Sequence, residues 1–142
     1  MHADELQRLI DASPVHRSLR LRVVDADDAA VTLHAETGAE HAGEDAGEFL
    51  HGGVVATLLD TAATFALIQA TGTDWGTVDL RVDFLRPAPA GRLLAAGTAV
   101  QVGRRLGRAT AQLTDPASGR VVASAAGTFA RTAPVPETEQ GS

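Results

Sequence analysis

Fifteen residues from Val54 to Ile68 carry a single ionisable side chain, Asp60, among Val, Ala, Leu, Phe, Ile and three threonines. Such a run predicts a helix that is apolar nearly all round, which has to be covered on more than one side. A sheet covers one side, so the pattern also calls for a partner subunit. Taking a lone carboxylate out of water among aliphatic neighbours is costly unless it is paired, hydrogen-bonded or protonated. The acid therefore asks for a reason to be there.

His51-Gly52-Gly53 stands just before this segment. Glycines let a backbone approach a ligand closely, and the first free amides of a helix, at the positive end of its dipole, attract a developing negative charge. The helix mouth reads as an oxyanion-type site. Nine positions separate His51 from Asp60, which on a helix is about half a turn out of phase and roughly 13 Å along the axis. One helix cannot aim both groups at one atom. The simplest cooperating geometry takes His51 and Gly52 from one subunit and Asp60 from its partner, across a two-fold interface that uses each residue twice.

Length and composition bound the rest. A chain of 142 residues, 44% hydrophobic and 21% charged, suits one soluble domain with a real core. The net charge is −6 and the longest basic run is Arg104-Arg105, which does not indicate a nucleic-acid surface. There is no cysteine, so disulfides, thiolate metal sites and a cysteine nucleophile are excluded. The five histidines show no metal-ligand spacing, so no metal is expected. Acid near the start, in Met1-His2-Ala3-Asp4-Glu5, argues against a signal peptide, and no apolar run is read as reaching transmembrane length. No membrane partner and a cytoplasmic location are the expectations.

Periodicity gives the order of elements. Leu6, Leu9 and Ile10 share a helical face over residues 4–12, ended by Ser13-Pro14. Leu19, Leu21 and Val23, then Val31, Leu33 and Ala35, alternate with polar residues as a hairpin. Residues 37–49 read as a loop and about 54–70 as the long helix, with Gly72 as its left-handed cap. Strands are predicted at 77–86, 92–102, 106–115 and 120–131, separated by turn chemistry such as Asp115-Pro116-Ala117-Ser118-Gly119. Residues 1–131 thus form a single domain of α+β class, about six antiparallel strands around one long helix. Residues 132–142 read as a disordered tail. Trp75 reads as a plug at the helix–sheet junction, and Ala62, Ala63 and Ala66 as leaving room for a pocket.

The order and spacing of His51-Gly52-Gly53, Asp60, the strand Thr77 to Arg86-Pro87, the turn Val102-Gly103-Arg104-Arg105 and the strand Val121 to Phe129 resemble the hotdog-fold acyl-CoA thioesterases. The resemblance is to their phenylacetyl-CoA thioesterase-like branch, within the 4-hydroxybenzoyl-CoA thioesterase superfamily, and covers roughly residues 19–131. It implies a sheet wrapped around the helix, subunits joined edge to edge as homodimers, and dimers paired into tetramers. It also implies hydrolysis of a medium-size or aromatic acyl-CoA without a cofactor, coenzyme A being part of the substrate.

Carried over by position, Gly52 N–H, beside Gly53, polarises the thioester carbonyl. His51 orients that carbonyl or supports the leaving thiolate, and Asp60 attacks or activates water. Thr64 and Thr77 match positions where a hydroxyl aids the acid. Residue types leave the nucleophile and general-base roles of Asp60 both open. Asp45 stands where the family has Asn or Gln, and an ionised acid there cannot donate a hydrogen bond. Arg86, Arg104, Arg105 and Arg108 match places that meet the nucleotide phosphates. Two other readings remain: a non-catalytic hotdog module binding acyl-CoA or an acyl carrier, and a hotdog hydratase or dehydratase.

Overall fold

The computed structural model describes residues 1–134. Two short helices, α1 (Ala3–Asp11) and α2 (Pro14–Ser18), lead into β1 (Arg22–Ala26) and β2 (Ala30–Glu36). A 3₁₀ turn at Ala39–His41 and a loop precede α3 (Gly52–Thr71). Then come β3 (Thr73–Phe84), β4 (Arg92–Val102), β5 (Leu106–Asp115) and β6 (Arg120–Pro134). All strand pairs are antiparallel, and the sheet order is β1-β2-β4-β5-β6-β3. This is the expected α+β hotdog arrangement, with α3 lying along the concave face.

Ten of the twenty residues of α3 are buried, Leu58, Leu59 and Leu67 almost completely. Each such leucine is worth about 1.5–3 kcal/mol over leaving it in water. The helix sits close because β4 carries Gly97 beneath it, where a methyl group would run into the Ala62 carbonyl and the Ala63 amide. Ala62, Ala63 and Ala66 are fully buried against the sheet. They admit the close approach rather than leave room for a pocket, which corrects that expectation. At twenty residues α3 also matches a membrane-spanning helix in length and composition, contrary to the sequence reading. Within this fold the sheet covers one side of it, Leu58, Leu59 and Leu67 included.

Gly72 caps α3 with φ +69°, and its amide bonds the Ile68 carbonyl at 2.8 Å. The cap reverses the chain at once, so β3 starts at Thr73, four residues earlier than the alternation suggested. Trp75 is buried, its Nε1–H donates to Thr71 Oγ1 at 2.9 Å, and the Arg131 guanidinium stacks over it at 4.7 Å. It plugs the helix–sheet junction as expected. β6 continues to Pro134, opposite Thr73, so residues 132–134 belong to the sheet rather than to a tail. Residues 135–142 lie outside the described part. The helix α2 has no counterpart in the sequence reading. Five residues are too few for an apolar period, and Pro14 is a helix start as well as a stop.

Candidate active site

The mouth of α3 leaves one amide free. His51 is the N-cap: its Nδ1 accepts from Gly53 N–H at 2.9 Å, and its carbonyl accepts from Val54 and Val55 N–H at 2.9 and 3.3 Å. Among the described residues, Gly52 N–H alone of the first four helical amides has no acceptor. It points out along the positive end of the helix dipole, as an oxyanion donor must. Since Nδ1 of His51 accepts, the neutral ring carries its proton on Nε2, facing outward as a second donor. The Gly53 amide is taken up by this cap. His51 N–H bonds the His41 carbonyl at 2.9 Å and Leu50 N–H the Ala88 carbonyl at 2.9 Å, fixing the turn from both sides. Phe84 closes over Gly52, where a methyl group would sit 3.4 Å from the ring.

Asp60 lies two turns further on, partly exposed rather than buried. Thr77 Oγ–H donates to its Oδ1 at 2.6 Å. That contact depends on a bulge in β3. Thr77 pairs with Phe129 and Asp79 with Thr128, leaving Val78 as the surplus residue. Trp75 and Thr77 face the helix before the bulge; Leu80, Val82 and Phe84 face it afterwards. The change of phase lets one strand serve both the acid and, through Phe84, the helix mouth. Among the described residues β3 pairs only with β6, so Asp60 and Thr77 stand at a free sheet edge. Thr64, one turn beyond Asp60, makes no hydrogen bond to it. Thr61 and Thr57 turn their hydroxyls back to the carbonyls of Thr57 and Gly53.

Asp45 is exposed and has no partner among the described residues, while its neighbour Glu44 organises the loop. Glu44 Oε1 accepts from Glu48 and Phe49 N–H at 2.6 and 3.0 Å, and Oε2 from Ala46 N–H at 3.1 Å. These amides, Phe49 foremost, hold the Glu44 carboxyl below the usual glutamate range. Sequence reasoning passed over Glu44; its signal was an acceptor-only side chain three residues before Gly47, which takes φ +73°.

The arginines divide. Arg104 and Arg105 occupy the β4–β5 turn, closed by Gly103 N–H to the Leu106 carbonyl at 2.8 Å, and Arg108 projects from the outer face of β5. Arg131 joins them, its amide on the Arg105 carbonyl at 2.8 Å and its guanidinium on Thr73 Oγ1 and the Gly103 carbonyl, both at 3.0 Å. Arg86 follows the far end of β3, its amide bonded to Val122. Leu106 lies level with Ala130 and Gly76, and Phe84 with Ala123; the stretch from Gly76 to Phe84 is about 27 Å long.

In sequence, the thioesterase superfamily model matches residues 47–132, the stretch holding the helix mouth, Asp60 and Thr77. The medium/long-chain acyl-CoA thioesterase YigI of Salmonella typhimurium is 30% identical over 115 residues, covering 70% of this chain and 74% of that protein. In structure, a thioesterase family protein from Silicibacter pomeroyi superposes with a TM-score of 0.83 at 27% identity, over 92% of this chain and 98% of that one. The PaaI protein of the Escherichia coli phenylacetic acid degradation operon shares the fold, with a TM-score of 0.81 at 20% identity over 94% and 97% of the two chains. With the helix-mouth donors and the hydroxyl-bound acid in the matched stretch, the chain belongs to the thioesterase superfamily and is a thioester hydrolase.

Proposed function

We propose that the protein hydrolyses medium-size or aromatic acyl-CoA thioesters at two equivalent sites shared between the subunits of a homodimer. The observation that carries this reading is the Thr77–Asp60 hydrogen bond at the free edge of the sheet. One helix holds its own Gly52 amide and Asp60 roughly 12 Å apart along the axis. Pairing two β3 edges antiparallel about a dyad between Leu80 and Arg81 sets Thr77 opposite the partner's Phe84. Phe84 covers the helix mouth, so each acid meets the partner's Gly52. Val78, Phe84 and Leu85, exposed on this edge, are the apolar residues such pairing covers.

In each site the thioester carbonyl accepts from Gly52 N–H, and its oxygen takes up negative charge as the carbon becomes tetrahedral. A single donor of this type is worth about 10²–10³ in rate. Asp60, held by Thr77, either removes a proton from the attacking water or attacks the carbonyl itself, giving an anhydride that water then opens. The C–S bond breaks, and the coenzyme A thiolate leaves past the Nε2–H of His51. No cofactor takes part, and coenzyme A enters only as part of the substrate. The arginines bind its phosphates. Small residues on the outer sheet face, Ala96, Thr98, Thr110, Ser124 and Ala126, line a shallow concavity through which dimers pair into tetramers. The cytoplasm, where acyl-CoA is made and used, is the location this reading implies.

Complementation tests the shared site. His51→Ala and Asp60→Asn proteins, each inactive alone, are unfolded together and refolded at equal concentration. Half the dimers are then mixed, and each mixed dimer has one intact site, so activity returns to about one quarter of wild type. A mixture as inactive as its components refutes the composite site.

A further inference from the structure

The sheet has two outer strands, β1 and β3, and their edges are not alike. Among the described residues β3 has no neighbour beyond β6, whereas the N-terminal helices close the edge of β1. Leu21 N–H donates to the His16 carbonyl at 3.2 Å, the Leu21 carbonyl accepts from Gln7 Nε2–H at 2.9 Å, and Val23 N–H donates to Gln7 Oε1 at 2.7 Å. The other proton of Gln7 Nε2 goes to Asp11 Oδ1 at 2.9 Å and fixes the carboxamide. One side chain thus offers a donor and an acceptor to backbone groups two residues apart, as a neighbouring strand does. The helix α1 is anchored without it, because Leu6 and Ile10 are fully buried in the core.

The strand behind this carboxamide is self-complementary. Arg22 lies opposite His34 and Asp25 opposite Thr32, with Val24 as the surplus residue of a bulge between Val23 and Asp25. His34 and Thr32 are two apart on β2, so Arg22 and Asp25 project from the same face of the sheet. Both are exposed, and neither forms an ion pair among the described residues. Two β1 edges laid antiparallel about a dyad between Val23 and Val24 set Arg22 against the partner's Asp25 on both sides of the axis, and Leu21 against the partner's Ala26. Open edge groups are a template for another strand, and here the charges favour a second copy of the same strand.

We propose that the β1 edge is a self-pairing surface held shut by Gln7, whose carboxamide occupies the groups that a second copy of the chain would otherwise bind. For its consequence the inference rests on the homodimer paired through β3. Such a dimer carries a β1 edge at each end of one continuous sheet. Contacts from β1 to β1 would then join dimer to dimer without closing, which is the route to an open fibre. With Gln7 in place, growth of the sheet ends at the closed oligomer.

Sedimentation velocity over a range of concentrations, with amide hydrogen exchange at the lowest, tests it. Alanine suits a helix interior, so Gln7→Ala keeps α1 and opens the edge. Exchange of the Val23 amide then rises about fivefold, as for one lost hydrogen bond, and species heavier than the wild-type oligomer appear and lengthen with concentration. Adding Asp25→Arg to Gln7→Ala sets like charges across the dyad and returns the protein to wild-type mass. Adding Arg22→Asp as well restores opposite charges, and with them the growth. A wild type that is a monomer, beside a Gln7→Ala protein that stops at a dimer, supports the closed edge and removes only the β3-paired homodimer. Wild-type mass in Gln7→Ala at every concentration, growth that Asp25→Arg leaves untouched, or an unaltered Val23 exchange rate each overturns the inference.

Discussion

Replacing Thr77 by valine keeps the shape of the side chain and removes the proton that reaches Asp60 Oδ1 at 2.6 Å. A hydrogen bond to a carboxylate is worth about 1.5–3 kcal/mol, and the partial exposure of Asp60 sets the lower end, because water replaces part of what is lost. About 1.5 kcal/mol of lost positioning corresponds to roughly a tenfold fall in kcat. KM should change little, since the hydroxyl touches the acid and not the acyl-CoA. The assay is steady-state thiol release from phenylacetyl-CoA, run on wild type, Thr77→Val and Thr77→Ser. Serine restores the donor and should recover most of the rate. In the background of Asp60→Asn, itself slower by about 10³, the valine change should cost nothing further, because residues acting as one unit are not additive. A Thr77→Val enzyme within twofold of wild type, or one whose loss adds in full to that of Asp60→Asn, refutes the pairing as a source of rate.

Three other outcomes follow from the same geometry. Gly52→Ala sets a methyl group in van der Waals contact with Phe84, 3.4 Å from its ring, in the space a carbonyl needs before the free amide, so kcat falls about a hundredfold, as for a lost oxyanion donor, while circular dichroism is unchanged. Gly97→Ala drives α3 off β4; overpacking of this kind costs about 1–3 kcal/mol and lowers Tm by about 3–10 °C in a thermal melt. Glu44, held below its ordinary value of 4.5, tethers the loop fully above that pH and releases it as pH falls through the depressed value. The Phe49 amide resonance should therefore shift on acidification below that pH in wild type and not in Glu44→Gln.

The elements most legible in the sequence were those set by strong local chemistry. The strands β4 and β5 lie where alternation and turn residues put them, and α3 ends at Gly72 as its left-handed geometry demands. His51, Gly52 and Asp60 were legible because each is out of character with its surroundings. The pairing of Thr77 with Asp60 came only from resemblance, since it depends on the Val78 bulge, and alternation has no mark for a surplus residue. Glu44 was overlooked for a related reason: its partners are backbone amides, which every residue supplies. Thr64 also came from resemblance, and in this structure the hydroxyl bonded to Asp60 is that of Thr77.

The split of the arginines between the two ends of the sheet has a consequence for assembly. A lone protomer keeps Arg86 well away from Arg104 and Arg105 and avoids their mutual repulsion. In the proposed antiparallel pairing, position 86 of one β3 falls level with position 75 of the other, at the same end of the joined sheet as the second chain's β4–β5 turn. A polyanion the size of the coenzyme A nucleotide would then find a full set of cations only on the dimer. Ligand and self-association would be thermodynamically linked, so that coenzyme A tightens the pair and dilution weakens its grip on coenzyme A.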